Sequence, residues 1–148
     1  MADTRRLAML KAVETTLSAA APTGTTVHRF AHRAIEKDSL PSVVIAHGGG
    51  LNVGDEVNDR YEHTDLVRLA IQCLGAVATE PDDSIDPHIS WVDSALRADT
   101  TLGGAVNDVR FRPTGATEVA EDDRIYIRVV QDIEVLYYRT FTDPESAS

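Results

Sequence analysis

The run Ser84-Ile-Asp-Pro-His-Ile-Ser-Trp-Val-Asp-Ser-Ala-Leu-Arg-Ala-Asp-Thr-Thr-Leu-Gly-Gly-Ala-Val106 decides how this chain is read. Ile85, Ile89, Val92 and Leu96 recur at helical spacing and form one apolar stripe, which predicts an amphipathic helix. The segment Asp99-Thr100-Thr101-Leu102-Gly103-Gly104 then stops it, because paired glycines accept backbone angles that other residues resist. Val106 to Phe111 follows as a strand. Nothing in the run is chemically reactive.

Working outward, residues Asp3 to Ala20 predict a second helix, capped by Asp3 or Thr4, with Leu7, Leu10, Val13 and Leu17 as its stripe. Ala21-Pro22-Thr23-Gly24 ends it. A weak strand around Thr26–Phe30 precedes the β-branched run Ser42–His47, which reads as a buried strand. Gly48 to Asn58 reads as a mobile loop on the strength of Gly48, Gly49, Gly50, Asn52 and Gly54. From Arg60 to Gly75 the chain alternates with period two: Tyr61, Val67, Leu69, Ile71 and Cys73 share one side. His63 and Asp65 interrupt that apolar side, so one end of the strand is expected to project into solvent or toward another subunit. Thr79–Ser84 reads as a turn. Arg124 to Phe141 alternates in the same way and makes the last long strand.

This order predicts a single α+β domain over residues 1–141: a twisted, largely antiparallel sheet of four to five strands with two helices on one face. The tail Thr142–Ser148 is polar and is expected to be disordered. A chain of 148 residues can bury enough surface for a core without staples. Cys73 is the only cysteine, which excludes an internal disulfide, and its place on the apolar side marks a buried thiol. No apolar run approaches the roughly 20 residues needed to span a bilayer, and the spaced apolar residues near the N-terminus lack a signal peptide's central run. The expectation is synthesis in the cytosol, with no membrane partner.

A net charge of −10 with the 14 Lys and Arg residues scattered disfavours nucleic-acid binding, which needs clustered cations. The acidity suits solubility, or a channel through which DNA passes without sticking. His47-Gly48-Gly49-Gly50 after a strand imitates an oxyanion-hole turn, but no Gly-x-Ser-x-Gly accompanies it. Gly49 and Gly54 have the outer spacing of a phosphate loop, yet Asp55 stands where the lysine belongs. No Gly-x-Gly-x-x-Gly occurs. His28 and His32 have helical spacing but sit beside Arg29 and Arg33 with no cysteine; His47, His63 and His88 have no readable partner spacing, so no metal site is assigned. His63 and Asp65 could form an acid–base pair, although a solvated or subunit-facing end is the better reading. Asp82-Asp83 and Glu121-Asp122-Asp123 read as solvated turns, and Trp91 as a core edge. No catalytic, cofactor or metal residue is assigned.

The element order, the two long strands and the helix ending Ala98-Asp99-Thr100-Thr101-Leu102-Gly103-Gly104-Ala105-Val106 together resemble the tail terminator family of long-tailed bacteriophages. The final strand closing on Tyr137 and Tyr138 matches the same outline, which related neck and tail-completion proteins share. The resemblance implies a structural virion protein and not an enzyme. It would form a hexameric ring on the tail tube, stop tube growth and offer a surface to the head connector. Its partners would be further copies of itself, the tail tube protein and the neck protein, with DNA only passing through. It would reside at the neck end of the tail, and in host cytoplasm during assembly. On this reading Gly48, Gly49, Gly50, Asn52, Gly54, His63 and Asp65 are interface candidates, and the glycine loop orders on assembly. The alternatives are another head–tail joining protein, or a small α+β enzyme or ligand-binding domain with a pocket at His63 and Asp65.

Overall fold

In the computed structural model, residues 4–29, 40–57, 60–75, 79–121 and 124–140 are described, with backbone alone for 51–57, 60, 61, 139 and 140. The elements run α1 (Arg5–Ala20), β1 (Thr26–Arg29), β2 (Ser42–Val57), β3 (Arg60–Gly75), α2 (Pro81–Ala98), β4 (Asp108–Phe111), β5 (Glu118–Glu121) and β6 (Ile125–Thr140). They form the expected α+β domain. The sheet order is β1-β2-β3-β6-β4, with β5 also on β6; β1 pairs parallel with β2 and every other pairing is antiparallel. The sheet has six strands because β5, four exposed residues, carries no apolar alternation that would mark it in the sequence.

Period two explains which side the helices cover. Val67, Leu69, Ile71 and Cys73 of β3, and Ile127, Val129, Ile133 and Val135 of β6, are all buried in one core cluster with residues of both helices. From α1 this face receives Met9, Val13 and Leu17, spaced four apart; Leu10 packs only partly, so the buried stripe is centred one residue away from the expected one. From α2 it receives Ile85, Val92 and Leu96, with Ile89 and Trp91 packed at the edge.

Local chemistry sets the helix ends. Thr4 is extended (φ −63°, ψ 158°), and its side chain accepts from the Leu7 N–H at 3.0 Å, capping α1. The helix α2 begins at Pro81, inside the segment expected to be a turn. Proline suits the first helical position, and Asp82 and Asp83 oppose the positive end of the helix dipole. At its other end Asp99 accepts from the Gly103 N–H (2.8 Å) and from the Thr101 hydroxyl (3.1 Å). Leu102, Gly103 and Gly104 follow with φ of 51°, 73° and 88°. Leu102 accepts a left-handed backbone because its side chain is buried in the core.

The segment expected to be a loop is strand. β2 continues through Gly48, Gly49, Gly50, Asn52 and Gly54 to Val57, paired with β3 as far as Val57↔Arg60; position 58 lies outside the described residues. The glycines serve bulges instead of a loop. Register shifts fall between His47 and Gly50, Gly50 and Asn52, and Val53 and Glu56. Gly49 has φ +101°, which favours glycine, and a Cβ on Gly48 would come within 2.9 Å of the Leu66 side chain. Close approach and turn chemistry draw on the same residue type, so composition alone does not separate them.

Three of the strands are longer than either helix. Each of β2, β3 and β6 has 16 residues, about 53 Å at ~3.3 Å per residue. The helices, of 16 and 18 residues, reach only about 24 and 27 Å at ~1.5 Å per residue. On the covered side the buried residues run from Asp65 to Cys73 on β3 and from Ile127 to Tyr137 on β6, and the start of α1 reaches the Tyr138 carbonyl through Arg5.

Candidate functional site

Residues singled out in the sequence meet on the covered side of the sheet. Asp65 lies on the covered side of β3, in step with Val67 and Leu69, opposite Gly50 of β2 and Val135 of β6. His63 is two residues farther out on the same side, opposite Val53 and Tyr137. His47 is the last residue of β2 before the glycine bulge, opposite Val67. Three strands thus bring two imidazoles and a phenol to one carboxylate.

Asp65 is 1% exposed. Its Oδ2 accepts from the Tyr137 hydroxyl at 2.8 Å and lies 2.9 Å from His47 Nε2. Its Oδ1 is 2.6 Å from His63 Nε2, but off the line a hydrogen bond requires. Oδ1 is therefore buried without a hydrogen-bond partner among the described residues, and so, separately, is His63 Nδ1. The His63 and Tyr137 rings lie 5.4 Å apart, tilted by 50°. Gly50 permits this arrangement, since a Cβ there would meet His63 Nε2 at 3.3 Å and Asp65 Oδ1 at 3.5 Å. Burying a carboxylate is costly unless it is paired, so this cluster locks the relative positions of β2, β3 and β6.

This placement corrects the reading of His63 and Asp65 as a solvated or subunit-facing end. Both face inward, because the strand's alternation continues past the last apolar residue and carries them onto the covered side. Of the expected interface residues, Gly50, His63 and Asp65 come together; Gly48 packs against Leu66, and Asn52 and Gly54 lie farther along β2. The sequence reading missed His47 and Tyr137 as members. Strand parity held the signal, since His47 follows Val43 and Ile45 in step, and Tyr137 follows Ile133 and Val135.

Chemically the cluster is a brace. Its imidazoles turn Nε2 toward the carboxylate, and no Ser or Cys joins them among the described residues. No group of three or more His, Cys, Asp or Glu side chains among the described residues is placed to hold a metal ion. The partly exposed His47 also reaches the edge of a cleft of about 380 Å³, lined by Leu10, Arg29, Ile45 and Ala46, where Arg29 Nε donates to Glu14 Oε1 at 3.2 Å.

Outside the cluster, His28 sits in β1 with its Nε2 3.1 Å from Thr26 Oγ1, while His32 and Arg33 lie outside the described residues. Burial lowers the pKa of His88 on α2. Cys73 is buried as expected, its Sγ 3.6 Å from the Ser84 carbonyl, and burial pushes the thiol pKa up to about 11. Glu121 closes β5, and positions 122, 123 and 141–148, including the expected polar tail, lie outside the described residues.

The other side of the sheet carries ion pairs together with a buried patch of Thr64, Leu66 and Leu136. Arg68 lies 3.4 Å from Asp132, Arg112 3.3 Å from Glu134 and Arg128 3.0 Å from Glu118. Among the described residues, no helix is long and apolar enough to cross a membrane. Compared with known proteins, the chain matches no family model and no curated sequence.

Proposed function

We propose that this chain is a structural virion protein that assembles with copies of itself into a ring, as a tail terminator on the end of a phage tail tube. The observation that carries the reading is the long edge of β2. β1 pairs with β2 only from Ser42 to Ile45, so among the described residues no strand lies on its outer side from Ala46 to Val57, and the buried Asp65 cluster braces β2 against β3 and β6. A lone domain gains little from an open strand edge, which must be paired or blocked. A ring subunit uses both edges, because heterologous contacts that close by rotation need two different surfaces on each copy.

The ring closes polymerisation of the tube on one face and presents the other to the head connector. The acidic excess of the chain suits a passage for DNA, which it would not bind. No catalysis or cofactor enters this reading. A neck or joining protein is the alternative within the same class.

Removal of the gene from its parent virus, followed by electron microscopy of the lysate, tests the proposal. A terminator leaves overlong tubes beside tailless heads. Tails of normal length that fail to join heads would make it a joining protein, and normal infectious particles would overturn both readings.

A further inference from the structure

Where β1 stops, a cleft of about 380 Å³ opens beside β2, lined by Leu10, Arg29, Ile45, Ala46 and His47. Register brings its two polar side chains together. Arg29, the last residue of β1, is opposite Ile45, and His47 lies two residues farther along β2 on the same side. With neighbouring strands about 4.8 Å apart and ~3.3 Å of rise per residue, their Cα atoms are roughly 8 Å apart, so one small molecule can touch both.

Both groups are held in place from behind. Arg29 Nε donates to Glu14 Oε1 at 3.2 Å, which anchors the guanidinium and leaves its two amino groups without a partner among the described residues. His47 Nε2 lies 2.9 Å from Asp65 Oδ2, an oxygen that also accepts from the Tyr137 hydroxyl. An ionised carboxylate can only accept, so the imidazole carries its proton on Nε2. The neutral ring then presents Nδ1 as an acceptor. That atom is not shut away in the core, as His63 Nδ1 is, and no described group donates to it.

We propose that this cleft binds a small 2-hydroxy carboxylate with a branched hydrocarbon body. The carboxylate sits on the Arg29 amino groups, whose planar fork matches two oxygens. The hydroxyl donates to His47 Nδ1, and the hydrocarbon lies against Leu10, Ile45 and Ala46. A plain fatty acid would leave Nδ1 unpaired, and an alcohol would leave the guanidinium without an anion. A chain of net charge −10 repels anions at long range, so these short contacts must supply the recognition. The site belongs to one copy of the chain and stands apart from the ring reading.

Titration of the isotope-labelled chain with 2-hydroxy-4-methylpentanoate, followed by NMR, tests this. Amide shifts should saturate and should centre on Arg29 and residues 45–47. The analogue without the hydroxyl, 4-methylpentanoate, and the uncharged 2-hydroxy-4-methylpentanamide should each bind on the order of tenfold more weakly, since each leaves one polar group in the cleft unpaired. Arg29→Gln should weaken binding of the acid by a similar factor and abolish the preference for acid over amide. Its own spectrum reports whether it folds, and the comparison of the three compounds on the unaltered chain needs no variant. Absence of saturable shifts at these amides, shifts centred elsewhere, or equal binding of the three compounds overturns the inference.

Discussion

Asp65 concentrates the cost and the benefit of this fold. Its carboxylate is buried, takes a hydrogen bond from Tyr137, and has an imidazole close to each oxygen. Asp65→Ala removes the hub and strands three polar side chains, which should cost about 2–4 kcal/mol. A urea titration reads this as a lower midpoint with the slope unchanged; an unchanged midpoint would mean that the cluster braces nothing. Gly49→Ala should cost about 1 kcal/mol by the same assay. Nothing crowds the new methyl, so the loss is one of backbone strain at φ +101°. Cys73 supplies a pH dependence. Its thiol is neutral when folded until about pH 11, whereas the unfolded chain ionises near the ordinary value of 9.0. The unfolded state thus sheds its proton first, so the contribution of Cys73 to stability should be constant below pH 9 and fall between 9 and 11. Alkylation of the folded protein at pH 8 should be slow and should become fast on unfolding.

At the scale of elements, α2 ties the molecule together, since Ile85, Val92 and Leu96 are all buried against the sheet. Leu96→Ala should destabilise by about 2–5 kcal/mol, measured by the same urea titration. A loss below about 1 kcal/mol would contradict the packing described, because it would require the site to collapse almost completely. This helix, α1 and the two alternating strands were legible because hydrophobic periodicity reports burial directly, and burial is what holds them. The second half of β2 was not legible. Its pairing with β3 is a long-range fact, and glycine has no side chain through which periodicity could register. The site was legible in part: parity put His63 and Asp65 on one side of β3. Their burial depends on Tyr137 and His47 arriving from other strands, which spacing within one segment cannot reveal.

For the whole molecule, the distinctive feature is a six-stranded sheet in which, among the described residues, the edge of β2 is open beyond Ile45. One side packs the core, and the other carries the Arg68–Asp132, Arg112–Glu134 and Arg128–Glu118 pairs beside buried Leu66 and Leu136, so the proposed ring would form through strand edges and leave both sides of the sheet undisturbed. The most direct test is cryo-electron microscopy of the neck end of tails from the parent virus. The expected result is a closed ring of this chain on the tube end, each copy meeting the next through the open edge of β2. A tube end without this chain, or copies that touch only through their helices, would contradict it.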